Sequence, residues 1–528
     1  MRQQNVMLTQ RGDQVFTLIK SLTKSEKRNF KLYANRINSA EDLKFIQLFD
    51  ALDKMDDYEE ALLFKKMKGL KRSQLSNLKR HLYKQILTSL RLIHISKNID
   101  IQIREQLDFA RILYGKGLHI QSLKLLDRIK TLAVDNHQDL LLMEILDFQK
   151  LIEERHITRS RRVKGKVEGL LRESAERSQI IQNTCRLSNL KIKIHGWYIQ
   201  IGHAKNEKDR LMVEEYFQSN LPKNLHISKM TFFEKIALYQ SYVWYHYILL
   251  DFRQCYRYAL KWTQLFNADP DLKKVDPDLY MRGMHYVLTA LYNMGAYKKF
   301  SQALTEFEAF EQESQKSFST ISKTISFLYI YTSKINKHYL EGTFQEGLHL
   351  VPIIKRLIKR YEKHIDPHRV MVFNYKIAYL YMAAGLFDSA LDHLNEIINV
   401  KVGHLREDIQ SYARLLHLIV HFEIGNYVLL DYLANSVHRF LDKVEELNKM
   451  QTETIRFIRQ IIKLPISEHP KAFKEFHAVL KKLQKDAFEK RAFLYLDITS
   501  WVESKIQGKA LREIVRNKFR ADENTPRQ

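Results

Sequence analysis

Apolar residues recur every three or four positions along most of this chain, which is the spacing of one face of an α-helix. The clearest example is a stripe of six leucine and isoleucine residues: Leu75, Leu78, Leu82, Ile86, Leu90 and Ile93. The chain lacks the sustained alternation of Val, Ile or Thr with polar residues that indicates β-strands. Glycine (16 residues) and proline (8 residues), which both weaken helix interiors, are scarce. The pattern therefore predicts an all-α protein.

The first 99 residues contain the start signals of four helices. Thr23 and Glu26 have the spacing of a capping box, in which each side chain accepts a hydrogen bond from a free backbone amide, so a helix is predicted over residues 24–36. Similar signals predict a helix from Ser39 to residue 54, one that stops at Gly69, and one that starts at Ser73. Residues 1–99 are therefore predicted to form a helical N-terminal domain.

A glycine, any residue and then an aromatic residue recur in the second half of the chain, between stretches of helical apolar spacing. The four copies begin at Gly295, Gly342, Gly385 and Gly425, which are 47, 43 and 40 residues apart. A period of this size is typical of stacked helix pairs. Four weaker turns precede them, at Gly117, at residues 155–158, at Gly202 and at Leu250, where leucine replaces the glycine. These eight turns predict a right-handed array of antiparallel helix pairs over residues 100–450, with helices of about 15–20 residues.

One unit, residues 374–394, resembles the tetratricopeptide repeat (TPR). Ala378, Gly385, Phe387 and Ala390 occupy the positions at which that family has a small residue, a turn glycine, an aromatic residue and a second small residue. The spacing of 40–47 residues between turns is longer than the usual repeat of about 34. The resemblance implies a TPR-like α-solenoid, an architecture that binds partner proteins.

Residues 451–528 continue the helical pattern beyond the last predicted repeat. Pro465 and Pro470 bracket a break, after which helices are predicted over residues 471–485 and 492–507. The second of these suits a C-terminal helical cap on the open end of the array. Residues 521–528 are predicted to form a short, loose tail.

Composition limits the classes of protein that need to be considered. Hydrophobic residues make up 45% of the chain, which excludes a disordered protein, and two cysteines exclude a disulfide framework. The N-terminal residues lack the apolar segment of a secretory signal, and no apolar run reaches the roughly 18 residues that span a bilayer. The expected location is therefore cytoplasmic. A net charge of +25 favours nucleic acid, anionic lipid or acidic protein as a partner.

Residues 61–99 are the most basic segment, with ten Lys or Arg residues and no Asp or Glu. A short helix, a turn at Gly69 and a longer basic helix have the order of a helix-turn-helix, in which the basic helix would meet a nucleic-acid duplex. The candidate polyanion-binding residues are Lys71, Arg72, Lys79, Arg80, Lys84 and Arg91. The alternative interpretation, which is favoured, is a solvated face of a helical bundle.

A second candidate site is a ridge of five basic residues on one predicted helix. They are Lys355, Arg356, Lys359, Arg360 and Lys363, and their spacing of about four residues places them on one face. Such a ridge is a candidate binding surface for an acidic partner. Two aromatic groups, Trp244 to Tyr247 and Phe327 to Tyr331, could line a peptide groove, but a role in the core is the favoured interpretation.

No pattern of catalytic or metal-ligating residues is found. His417 and His421 are four residues apart, but neither they nor His364 and His368 have a matching third ligand. The phosphate-loop, dinucleotide-binding and nucleophile-elbow motifs are absent. The sequence therefore predicts a non-catalytic cytoplasmic adaptor or regulator, without a cofactor, that binds a partner protein or peptide on its helical repeats. The alternative is a nucleic-acid-binding regulator that uses the basic N-terminal segment. The oligomeric state stays open.

Overall fold

The computed structural model describes residues 13–36, 42–67, 70–96, 98–156, 165–223, 225–399, 406–443 and 448–524. These residues form 26 α-helices and a few short 3-10 helices, and no β-strand occurs among them. The prediction of an all-α protein is therefore confirmed. The chain divides into two compact units, unit 1 (Met1–Ile181) and unit 2 (Gln182–Gln528).

Unit 1 consists of eight helices and the first part of a ninth: α1 (Gln14–Ser21), α2 (Lys24–Ala34), α3 (Asp42–Asp53), α4 (Glu60–Lys66), α5 (Arg72–His94), α6 (Ile99–Gly115), α7 (His119–Asp135), α8 (Asp139–Arg155) and α9 (Lys166–Ile201). Helices α1, α2 and α3 all contact α5. Their core contains Phe30, Phe45, Phe49, Leu82 and Ile86, all of which are almost fully buried. The leucine stripe of α5 therefore faces this core, as its spacing indicates.

The capping box at the start of α2 is confirmed. The backbone nitrogen of Thr23 donates to Glu26 Oε2 at 2.7 Å, and the backbone nitrogen of Glu26 donates to Thr23 Oγ1 at 3.3 Å. Of the other three signals, Ser39 and Gly69 lie outside the described residues, and the helix predicted to start at Ser73 begins one residue earlier, at Arg72.

Unit 2 contains the second part of α9 and seventeen further helices. They are α10 (Glu207–Asn220), α11 (Phe232–Ile248), α12 (Phe252–Ala268), α13 (Leu272–Val275), α14 (Pro277–Asn293), α15 (Tyr297–Ser314), α16 (Thr320–Glu341), α17 (Phe344–Gly347), α18 (Leu350–Arg360), α19 (Pro367–Ala383), α20 (Phe387–Ile398), α21 (Glu407–Glu423), α22 (Tyr427–Lys443), α23 (Lys449–Ile461), α24 (His469–Leu483), α25 (Ile498–Gln507) and α26 (Leu511–Asn524).

The predicted turns are tight connections between helices in which one residue has a left-handed backbone. The φ angles of Gly295, Gly342, Gly385 and Gly425 are 63°, 67°, 80° and 77°, and Leu250 reaches 62° although it is not glycine. At each turn the next backbone amide donates to the carbonyl five residues earlier, for example from Leu386 to Tyr381 at 2.9 Å. This bond pattern satisfies carbonyl groups at the helix end and suits glycine, which carries no Cβ. The five turns are therefore confirmed.

Helices α19 and α20 fold back on each other at the turn of the TPR-like unit. Asn374 Nδ2 donates to Glu396 Oε2 at 2.7 Å, and each residue is eleven positions from Gly385, so the two helices are antiparallel. Ala378 and Ala390 are fully buried. Small residues at these positions allow the two helices to pack closely.

Unit 1 has one turn that sequence reasoning did not identify. Helices α6, α7 and α8 each have 17 residues and are joined by turns at Gly117 (φ 77°) and His137 (φ 54°). The backbone nitrogen of Gln138 donates to the carbonyl of Ala133 at 2.8 Å, as in the glycine turns. Because no glycine marks this turn, the glycine pattern could not reveal it.

Three predicted boundaries differ from the structure. The predicted pair of helices before Gly202 is one continuous 36-residue helix, α9, in which Gly169 and Gly196 lie within the helix and not at a turn. Helix α25 begins at Ile498 and not at residue 492, because the Asp497 side chain accepts a hydrogen bond from the backbone of Ser500 at 3.1 Å. Helix α26 continues to Asn524, so residues 521–524 of the predicted tail are helical, and residues 525–528 lie outside the described residues.

The last two helices contact turns that are far apart in the sequence. Trp501 Nε1 donates to Glu423 Oε1 at 2.6 Å, next to the turn at Gly425. Arg516 Nε donates to the carbonyl of Gly342 at 3.2 Å, and the ring of Phe519 lies 4.6 Å from that of Tyr297, centroid to centroid. Helices α25 and α26, here called the C-terminal strap, therefore connect three helix turns of unit 2.

Candidate functional site

Tyrosine occurs three residues before the turn in three successive hairpins of unit 2. Tyr247 precedes Leu250, Tyr292 precedes Gly295, and Tyr339 precedes Gly342. All three side chains are half-buried, and burial raises the pKa of each above its ordinary value. The three tyrosines therefore mark the face of each hairpin's first helix that lies against the neighbouring helices.

Side chains on this face contact one another across successive helices. The ring of Trp244 on α11 lies 4.2 Å from His195 on α9 and 5.3 Å from Tyr286 on α14, centroid to centroid. His285 on α14 stacks on Tyr329 of α16 at 4.1 Å, with 8° between the ring planes. Tyr339 on α16 in turn lies 5.0 Å from Tyr379 on α19, centroid to centroid. The faces of α9, α11, α14, α16 and α19 that carry these contacts are called the inner surface here.

Two lysines on the inner surface bond to side-chain amides and not to carboxylates. Lys191 Nζ on α9 donates to Gln240 Oε1 on α11 at 3.0 Å, and Lys376 Nζ on α19 donates to Asn336 Oδ1 on α16 at 2.7 Å. Burial lowers the pKa of Lys376 to about 8. Burial, followed by the charge of Arg282, also lowers the pKa of Lys191.

Nearby positive charges help to lower the pKa of two histidines, His285 and His195. Burial, followed by Arg369 and Lys376, lowers the pKa of His285 to about 3. Burial lowers the pKa of His195 as well, and the charges of Arg369, Lys191 and Arg282 add to the effect. His195 is exposed to solvent. Both imidazoles are therefore neutral at pH 7 in a positive field.

Lys191, Arg282, Arg369 and Lys376 are called the cationic cluster. None of the four makes an ion pair with a carboxylate in the part of the chain that the structure describes. Asp276, whose carboxyl group feels the charge of Arg282, instead accepts a hydrogen bond from the backbone of Leu279 at 3.0 Å and caps α14. The positive charge of the cluster is therefore not neutralised by an ion pair within the described residues.

A buried ion pair lies at the start of α21. Arg406 donates to both carboxylate oxygens of Asp408 at 2.9 Å, and its φ of 57° is left-handed although it is not glycine. Burial alone would raise the pKa of Asp408, but Arg406 holds that pKa below its usual value. Because the pair is self-neutralising, it holds the start of α21 and does not add net charge.

The predicted polyanion-binding residues have different environments. Lys79 is mostly buried and donates to both Asp13 Oδ2 and Tyr58 Oη at 2.5 Å; these bonds outweigh desolvation and raise its pKa. Lys79 therefore connects α5 to the bundle and cannot face a nucleic acid. Arg91 lies 3.7 Å from Asp108, and Arg72 lies over the ring of Phe64.

The remaining candidates in this segment are exposed. Lys71 precedes α5, and Arg80 and Lys84 lie on the face of α5 opposite the core. Because α5 contacts α1, α2 and α3, it is one helix of a bundle. The proposed turn residue Gly69, together with Lys68 and Lys97, lies outside the described residues, so the helix-turn-helix interpretation stays a prediction.

The predicted acidic-partner ridge lies on a second helix of a hairpin. Lys355, Arg356, Lys359 and Arg360 are exposed on α18, and Lys363 is exposed in the 3-10 turn that follows. Lys355 borders a cleft that Asp392 and Glu396 also line. The ridge therefore stands on a different helix from every member of the cationic cluster.

Some of the aromatic candidates lie on the inner surface, where they could line a peptide groove, and others lie in the core. Trp244, Tyr247 and Tyr329 lie on the inner surface, as described above. Phe327 stacks on Phe373 in the core, and Tyr245 stacks on Phe217 at 4.1 Å. Sequence reasoning missed the cationic cluster, but aligning the hairpins at their turns reveals the recurring tyrosine and hence the face to inspect.

The described residues contain no group of three side chains that could hold a metal ion. His417 and His421 are neighbours, with ring centroids 4.4 Å apart, and His421 Nδ1 bonds to Asn426 at 3.1 Å. Within the same described ranges, no helix has the length and apolar character needed to cross a bilayer. Comparisons with protein-family models, curated proteins and solved structures find no match.

Proposed function

We propose that this protein is a non-catalytic cytoplasmic adaptor or regulator. In this proposal the hairpins of unit 2 stack as a TPR-like α-solenoid, and the inner surface binds a segment of a partner protein. The observation that supports it is the cationic cluster, in which none of the four positive side chains makes an ion pair with a carboxylate of the described residues. Burial lowers the pKa of Lys191 and Lys376, so their charged forms are disfavoured unless an opposite charge compensates. An acidic segment of a partner would supply that charge.

A capture experiment tests the location of the binding surface. Full-length tagged protein is used to purify partners from native cells, with and without nuclease, beside the double variants R282Q/R369Q and K359Q/R360Q. Both variants remove two positive charges, but only the first alters the inner surface. We expect the first variant to lose the partner and the second to retain it. Loss in the ridge variant alone would instead identify α18 as the binding surface.

A second candidate function is nucleic-acid binding by α5. It is favoured by the exposed Arg80 and Lys84 on a helix that contains no acidic residue. Phosphate contacts would make such binding decrease steeply with salt concentration. The test is duplex DNA and RNA binding by full-length protein and by the variant R80E/K84E at two salt concentrations. Unaltered affinity in the variant would eliminate this site.

A further inference from the structure

The polar groups around the cationic cluster are mainly hydrogen-bond donors. Gln240 and Asn336 each use the side-chain oxygen to accept from a lysine, which leaves the amide N–H groups. A lysine ammonium has three donors, so Lys191 and Lys376 each retain two after these bonds. A surface on which hydrogen-bond donors predominate is complemented by a ligand that supplies hydrogen-bond acceptors.

The two arginines add the geometry for carboxylates. A guanidinium presents planar pairs of N–H donors that match the two oxygens of a carboxylate. Neither Arg282 nor Arg369 has a carboxylate partner among the described residues, in contrast to Arg406, which holds Asp408 in this way. The same recognition is therefore available to an incoming acidic group at two positions on separate helices.

The arrangement favours a peptide over a nucleic acid. Single-stranded nucleic acids stack their bases on free aromatic faces. On the inner surface, His285 and Tyr329 stack on each other, and the rings of Trp244 and Tyr286 meet edge to face. Lys191, Arg282 and Lys376 lie within α9, α14 and α19 and away from the helix starts. Arg369 is in the first turn of α19, but the carboxylate of Asp366 already accepts from the backbone of His368 at that helix start, which disfavours the usual arrangement of a phosphate on backbone amides.

We propose that the inner surface of unit 2 binds an extended acidic peptide segment, whose carboxylates accept hydrogen bonds from Lys191, Arg282, Arg369 and Lys376. This inference rests on the proposed function and adds the chemical class of the ligand. The members of the cluster lie on three different helices, which suits acidic residues spread along a segment. The neighbouring rings provide apolar contacts between the acidic positions.

Fluorescence anisotropy tests the ligand class with defined probes and full-length protein. The probes are a fluorescein-labelled 12-residue peptide of alternating Glu and Leu, the same peptide with Gln for Glu, and a labelled 12-nucleotide single strand. We expect the Glu peptide to bind and the Gln peptide to bind at least about tenfold more weakly, because charge-assisted hydrogen bonds are lost. Equal binding of the two peptides, failure of the Glu peptide to bind, or stronger binding of the oligonucleotide would overturn the inference.

Variants connect the binding to the residues. R282Q/R369Q should weaken binding of the Glu peptide by about tenfold or more, and K359Q/R360Q should leave it unchanged apart from a small general charge effect. If circular dichroism shows that the double variant does not fold, the single variant R282Q, which alters an exposed side chain, is used in its place. Equal weakening by both double variants would show that only net charge matters and would contradict the inference.

Failure of the acidic-peptide inference can be distinguished from failure of the proposed function. If R282Q/R369Q abolishes partner capture but the Glu peptide does not bind, the binding surface is right and the ligand class is wrong. If the variant affects neither capture nor peptide binding, both proposals are wrong.

Discussion

Arg516 lies against Gly342, 174 residues earlier in the chain. Its Nε donates to the carbonyl of Gly342 at 3.2 Å, and its Nη2 donates to Glu346 Oε1 at 2.6 Å. A Cβ on Gly342 would lie 2.8 Å from the backbone nitrogen of Arg516 and 3.0 Å from the carbonyl oxygen of Arg512. Gly342 therefore serves both a left-handed turn and the close approach of the C-terminal strap.

The first prediction compares two turn glycines. G342A should destabilise the protein by roughly 2–4 kcal/mol, because it combines a strained backbone with a clash against backbone atoms. The matched control G385A has the same type of backbone strain but open space around the added Cβ, so about 1–2 kcal/mol is expected. Urea unfolding of the full-length variants measures both values. Equal losses would mean that α26 does not pack tightly against the turn.

The second prediction concerns Lys79. Because its ammonium bonds to Asp13 and Tyr58 in a mostly buried position, Lys79→Met should destabilise the bundle of α1–α5 by roughly 1–3 kcal/mol. The neighbouring exposed change Arg80→Met should alter stability by no more than about 0.5 kcal/mol. Hydrogen exchange of α1 and α5 gives the readout. Similar protection from hydrogen exchange in the two variants would mean that Lys79 does not hold α5 in the bundle. Lys79 would then again be a candidate for binding a polyanion at the surface.

The third prediction is a dependence of stability on pH. His203 is buried and bonds through Nδ1 to the carbonyl oxygen of Tyr247 at 2.9 Å, and burial lowers its pKa to about 4. An unfolded histidine has a pKa of about 6.5, so between these values the unfolded chain binds more protons than the folded chain. The free energy of unfolding should therefore fall as the pH drops from about 6.5 to 4, by roughly 3 kcal/mol at full effect.

The measurement for His203 is urea unfolding at pH 7 and pH 5. The variant His203→Asn should show a smaller difference between the two pH values than the unaltered protein. His226→Asn, which changes an exposed histidine, is the control and should leave the difference unchanged. An unchanged pH difference in the His203 variant would contradict the prediction.

The turns were predictable from sequence because their determinants are local. A glycine with a left-handed backbone, followed by an aromatic residue, marks a helix end within a few positions, and the regular spacing then located Leu250 without its glycine. His137 escaped because no such residue marks it. The continuous helix α9 was missed because helices of about 15–20 residues were expected throughout the repeat, whereas α9 has 36 residues.

The cationic cluster was not predictable in the same way. Its members are 91, 87 and 7 residues apart and lie on three helices, so no single run of basic residues marks the cluster. By contrast, the two basic candidates found from the sequence, residues 61–99 and the ridge from Lys355 to Lys363, are dense in sequence. They are dense because most of their basic residues face solvent on a single helix. Contact between α9, α11, α14, α16 and α19, which brings the cluster together, depends on packing over more than 180 residues.

We expect an acidic segment to bind between the helices that carry Lys191 and Lys376. Zero-length carbodiimide coupling tests it most directly, because it joins a carboxylate only to an amine in contact with it. The 12-residue Glu–Leu peptide is coupled to the full-length protein, and the joined lysines are mapped by mass spectrometry. We expect joining at Lys191 and Lys376, because the lowered pKa of each amine also makes it more reactive. Joining confined to Lys355, Lys359 and Lys363, or spread evenly over exposed lysines, would contradict it.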